Sequence, residues 1–115
     1  NTDRYAKSMS VMNTYDNSVT LTVGKFDGRQ SVWSADYDED QEVRIKLSFT
    51  LAAGKAKLVH VDEDGSVTTI VECTPDSEVE NLTSYTVDMK EGYNRLKVVG
   101  YDCEDLKLLV EIKSW

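Results

Sequence analysis

Glu42-Val43-Arg44-Ile45-Lys46-Leu47-Ser48-Phe49-Thr50-Leu51 is the stretch that decides the fold. Val43, Ile45, Leu47, Phe49 and Leu51 alternate with Arg44, Lys46, Ser48 and Thr50. Wound as a helix, the five apolar groups would scatter around the whole circumference. As a strand they share one face, because successive side chains point to opposite sides. A strand with one dry and one wet face belongs to an antiparallel sheet, and its dry face needs a second layer over it.

The period of two persists on either side. Upstream, Val19, Leu21 and Val23 alternate with Ser18, Thr20 and Thr22, a half-buried strand rich in β-branched residues that Gly24 ends. Phe26-Asp27-Gly28 reads as a turn, Gln30–Ala35 as a second strand around Val32 and Trp33, and Asp36–Asp40 as an acidic connection. Downstream, Ala53-Gly54 closes the deciding strand. Lys55–Val61 and Ser66–Cys73 then form a hairpin around Asp62-Glu63-Asp64-Gly65, with the glycine supplying positive φ. Thr74–Thr83 holds the only proline and reads as a loop. Tyr85, Val87 and Met89 alternate, Glu91-Gly92 turns the chain, and Leu96–Tyr101 is a further strand. A turn at Asp102–Asp105 precedes Leu106, Leu108, Val110 and Ile112. About eight strands at regular spacing predict an all-β, antiparallel two-layer β-sandwich, jelly-roll or immunoglobulin-like. The domain is expected over residues 18–115. Residues 1–17 read as a separate segment, either disordered or a short helix capped by Asp3 with Tyr5, Met9 and Met12 on its apolar side. The chain starts at Asn1, as a processed or excised chain would.

One hydrophobic core suits 115 residues, and 40% apolar residues can fill it. Apolar runs are only a few residues long, so no membrane insertion is expected. The formal net charge of −8 repels phosphate backbones, which excludes nucleic acid as an expected partner and favours a basic or neutral one, such as an unidentified protein or an uncharged glycan.

Few residues offer chemistry. Asp36, Asp38 and Asp40, with Glu42 next in the series, are spaced like the first half of a calcium loop. Gln41 stands where that loop needs glycine and Leu47 where it needs the bidentate acid, so a solvated acidic turn explains them equally. Asp62, Glu63 and Asp64 are accounted for by their hairpin turn. His60, the sole histidine, would be the base of a hydrolase if a nucleophile met it in space, but no nucleophile-elbow signature accompanies it. No cofactor and no enzyme activity are expected. Cys73 and Cys103 stand as two separate thiols by default. The alternative is a disulfide closing a 30-residue loop, worth about 3 kcal/mol in the chain-entropy model. Trp33, Tyr37 and Tyr93 are the candidate platforms for a sugar, with Tyr101 a further ring and acidic side chains near by; packing within strands is the simpler role for such rings. Asn81-Leu82-Thr83 matches the N-glycosylation acceptor pattern.

Two stretches carry a resemblance. Gly54-Lys55-Ala56-Lys57-Leu58-Val59-His60-Val61-Asp62 through Gly65, continuing Val67-Thr68-Thr69-Ile70-Val71-Glu72, together with Lys90-Glu91-Gly92-Tyr93-Asn94-Arg95-Leu96, resembles small secreted or lipid-anchored β-sandwich proteins of Gram-positive bacteria. The second stretch also looks like the late-strand pattern of jelly-roll carbohydrate-binding modules, in which a glycine precedes asparagine and an apolar strand. The resemblance covers roughly the last two-thirds of the chain. It implies an extracytoplasmic location, secreted or lipid-anchored at the cell surface, and it transfers no functional residue. The expected function is a non-catalytic binding or structural domain; a carbohydrate-binding module is the alternative, and a hydrolase using His60 the second alternative.

Overall fold

Strand formation follows from the alternation. The deciding stretch is a strand, Gln41–Thr50, with Val43, Ile45, Leu47 and Phe49 buried and Arg44 and Lys46 exposed; Leu51, just beyond it, is buried too. The computed structural model describes residues 4–7, 10–15 and 18–113, and these form eight strands. In chain order they are β1 (Arg4–Lys7), β2 (Ser10–Tyr15), β3 (Ser18–Tyr37), β4 (Gln41–Thr50), β5 (Ala53–Val61), β6 (Val67–Cys73), β7 (Val79–Met89) and β8 (Gly92–Lys113).

All pairings are antiparallel, and two long strands organise them. β3 and β8 pair along most of their lengths, from Ser18↔Glu111 to Tyr37↔Gly92. The first half of β3 and the second half of β8 join β2, β4 and β7 in one layer. Their other halves join β1, β5 and β6 in a second layer. The inner faces share a single core, with Leu21, Ile45, Phe49 and Leu108 from the first layer against Leu58, Leu96 and Val98 from the second. This is the expected all-β sandwich.

The loop expected over Thr74–Thr83 is shorter than read, because Val79–Thr83 open β7 and pair with β4, and three further elements differ from the sequence expectation. Phe26-Asp27-Gly28 is not a turn between two strands: β3 runs through it, with a register shift between Phe26 and Gly28 and Gly28 at φ 122°. Asp102–Asp105 likewise lies inside β8, where Asp102 (φ 50°) and Asp105 (φ 52°) bend the strand between layers. Bulges and bends use the same glycine and aspartate conformations as turns, so locally the two look alike. Thirdly, the helix expected near the N-terminus is absent among the described residues: Arg4–Lys7 and Ser10–Tyr15 are strands paired to β3. Without them the long edge of β3 would present unpaired backbone groups to solvent. Asp3, Met9 and Asn17 lie outside the described residues.

Candidate functional site

The most distinctive surface is the outward face of the second layer. Along β8, Asn94, Leu96, Val98 and Gly100 point to the core, so Tyr93, Arg95, Lys97, Val99 and Tyr101 point away from it. Residues directly opposite in an antiparallel pair share a face. The register therefore adds Lys55, Lys57, Val59 and Val61 from β5, and Arg29, Ser31, Ser34 and Asp36 from β3. Tyr93 and Tyr101 mark its two ends, 41% and 51% exposed. Eight residues of strand separate them, about 26 Å. Each ring lies beside a cation: the Arg95 guanidinium is 5.7 Å from the Tyr93 centroid, and Lys55 Nζ is 5.4 Å from that of Tyr101. Val59, Val61 and Lys97 are buried although they face away from the core, so the centre of this face is shielded rather than flat and open.

The three rings predicted as sugar platforms are not brought together. Tyr93 is on the outward face, whereas Trp33 and Tyr37 are partly buried and packed against the core. Partial burial raises the Tyr37 hydroxyl above its usual range. The cause is a bulge: Ser31 pairs with Lys97 and Trp33 with Leu96, so Val32 is extra and the parity of β3 inverts beyond it. Tyr101, which the sequence marked only as a further ring, is the one that shares the face with Tyr93.

The acidic residues act mainly as ties. Asp36 is exposed opposite Tyr93, and Asp40 Oδ1 accepts the Glu91 backbone N–H at 2.8 Å, linking two turns. Asp36, Asp38 and Asp40 are not gathered about a point: among the described residues no group of three or more His, Cys, Asp or Glu side chains is placed to hold a metal ion. In the hairpin turn, Asp62 Oδ1 accepts the Ser66 N–H at 2.9 Å. Glu63 reaches across to accept the Tyr93 N–H at 3.3 Å, its carboxylate lying where a side chain at Gly92 would have to go.

His60 is buried beside Asn94 rather than beside a nucleophile, with Nε2 and Asn94 Oδ1 2.8 Å apart. Asn94 also closes the turn into β8, its amide nitrogen donating to the carbonyls of Lys90 and Gly92 and its oxygen accepting the Lys90 N–H. Among the described residues, the side chain recorded at hydrogen-bond distance from this ring is the amide of Asn94 and not a nucleophile. A cleft of about 360 Å³ between the β5–β6 edge and β7 borders His60, Asp62, Tyr85, Asp88 and Lys90.

Cys73 and Cys103 are free and buried, donating to the carbonyls of Phe49 (3.3 Å) and Lys55 (3.2 Å). Burial, reinforced by the charges of Glu78 and Cys103, pushes the Cys73 thiol up from 9.0 to about 12. Burial also raises Cys103, against a lowering by its bonds to the Tyr101 and Lys55 carbonyls. Both are inert thiols of the structural kind. Asn81 and Thr83 of the glycosylation pattern are exposed on β7, with Thr83 Oγ1 donating to the Asn81 carbonyl at 2.9 Å.

The fold recurs in solved structures of carbohydrate-binding modules. One is the module of Cellvibrio mixtus lichenase 5A in complex with cellotriose, at TM-score 0.54 and 9% identity over 97% of this chain and 90% of that one. Another is a variant of a family 29 module complexed with mannohexaose, at TM-score 0.50 and 12% identity over 98% and 92%. At such identities the likeness is one of fold, and it matches the jelly-roll resemblance of Lys90–Leu96. The resemblance to small secreted proteins of Gram-positive bacteria gains no support from these structures. No family model and no curated protein matches the sequence. Among the described residues no helix is long and apolar enough to cross a membrane.

Proposed function

We propose that this chain is a non-catalytic carbohydrate-binding domain that works outside the cytoplasm, and that its site is the outward face of the second layer. The observation that carries this reading is the pair Tyr93 and Tyr101, exposed on one face and each set beside a cation. Sugar rings present C–H faces that stack on aromatic rings, while their hydroxyls donate to carboxylates and accept from cations at the rim. Asp36, Arg95 and Lys55 supply such groups close to the two rings. Modules of the same fold crystallised with cellotriose and mannohexaose support a glycan as the ligand class. Trp33 and Tyr37 take no part, because they face the core.

Isothermal titration against a panel of soluble oligosaccharides tests this. Binding to at least one glycan is expected, and Tyr93→Ala and Tyr101→Ala should each weaken it by about tenfold, as the loss of a stacked ring does. Unchanged affinity in both variants would remove this face as the site.

A further inference from the structure

We infer that the free edge of β7 receives an extended, lysine- or arginine-bearing peptide as an added strand, with one basic side chain seated in the cleft beside His60. This is a second surface, independent of the glycan reading of the outward face. Charge is spread unevenly along the chain. Residues 62–91, which hold β6, β7 and the turns around them, contain nine carboxylates and one lysine, Lys90. The rest of the chain contains twelve acidic and twelve basic residues, so the whole net charge of −8 belongs to this segment. Lys57, Arg44 and Lys46 stand opposite Glu72, Thr86 and Ser84, and with them the acids still lead by nine to four, before Glu42 opposite Asp88 is added.

β6 and β7 end the two layers, and among the described residues neither has a strand on its outer side. β6 is interrupted by a bulge, since Leu58 pairs with Val71 and Val59 with Thr69, leaving Ile70 extra. Residues 83–89 of β7 instead pair with residues 41–47 in unbroken register, which leaves a regular outer row of N–H and C=O groups. A second copy would bring its own acidic segment against this one, which like charge opposes; a basic strand complements it. The cleft of about 360 Å³ runs along the same edge, with Tyr85, Thr86 and Asp88 on one side and His60 and Asp62 on the other. His60 is 4% exposed and its Nε2 faces Asn94 Oδ1; among the described residues Nδ1 has no partner and is not sealed from solvent. With the ring hydrogen on Nε2, Nδ1 offers a lone pair. That lone pair, two carboxylates and the Tyr85 ring suit a positively charged donor. Lys90, exposed, borders the cleft as well, against both carboxylates. Strand addition draws affinity from the backbone row and specificity from such a pocket.

Calorimetric titration and amide hydrogen exchange on the whole chain test this with a short peptide of alternating lysine and valine. Its controls are the same peptide N-methylated throughout, its glutamate–valine counterpart, and an oligolysine of equal charge. The lysine–valine peptide should bind at least about tenfold tighter than each control and slow exchange at alternate amides of residues 83–89. Asp88→Lys should weaken it by about tenfold. Glu104→Lys, the same charge change at an exposed site outside the acidic segment, should weaken it by no more than about twofold, with melting temperatures unchanged in both variants. Equal binding of the N-methylated peptide or of oligolysine would show attraction without strand addition and overturn the inference. So would equal losses in the two variants, protection that spares β7, or a dimer of the free chain in which these same amides are already protected. If the peptide does not bind at all, the inference falls and the glycan reading, tested with sugars alone, is untouched.

Discussion

Asn94 sets the proton on His60. Its amide nitrogen is committed as donor to the carbonyls of Lys90 and Gly92, at 2.7 and 3.0 Å, which leaves Oδ1 as the atom facing His60 Nε2. An oxygen there accepts, so the imidazole carries its hydrogen on Nε2. The same side chain holds the turn that starts β8 and ties it to β5, which fixes the only histidine in place. Asn94→Ala should destabilise the domain by about 3 kcal/mol, through the unpaired buried groups it leaves. Urea unfolding measures this, and a loss below about 0.5 kcal/mol would contradict the bonding pattern.

Gly100 is where β8 passes the core side chains at the bend. A Cβ there would lie 2.6 Å from Phe26 Cδ2 and 2.9 Å from Cys103 Sγ, both buried. Gly100→Ala is therefore expected to cost about 1–3 kcal/mol by overpacking, despite the better strand propensity of alanine. A stabilised variant in thermal denaturation would show that the bend can open.

The cysteines make stability fall at high pH. In the folded chain the Cys73 thiol is held at about 12, above its ordinary 9.0, so unfolding favours the thiolate. Its contribution is fully present below pH 9 and is lost as pH rises from there towards 12. Unfolding free energy measured from pH 8 to 11 should fall, less steeply in Cys73→Ala. Thiol-reactive dyes should label neither cysteine in the folded protein at pH 8, and both in denaturant.

Trp33 and Tyr93 should separate stability from binding. Trp33 packs on the core, so Trp33→Ala is expected to cost about 2–3 kcal/mol of stability. Tyr93 is 41% exposed, and Tyr93→Ala should change stability by no more than about 0.5 kcal/mol. Paired urea titrations would expose a reversed order, which would put the two rings on the wrong faces.

Much of the fold was legible along the chain because alternation is a local property. Glu42–Leu51, the hairpin around Asp62–Gly65 and the turn at Gly92 are specified by residues within a few positions of one another, and all stand as read. The continuity of β3 and β8 was not legible. Gly28 and Asp102 adopt turn-like positive φ, and only the partner strand's hydrogen bonds decide whether the chain reverses or carries on. The N-terminal strands were hidden for a related reason, since pairing with a distant edge outweighs weak local preference.

The candidate site shows the same division. An all-β sandwich, its dry faces and an acidic total charge follow from period and composition, which need no knowledge of partners. Tertiary structure alone decided which rings face out, because one extra residue at Val32 turns Trp33 and Tyr37 inward while β8 keeps Tyr93 and Tyr101 outward. It also gathered His60 and Asp62 with Tyr85, Asp88 and Lys90 around one cleft. Residues far apart in sequence become neighbours only through strand pairing and layer packing, and register is set by the whole sheet rather than by any segment of it.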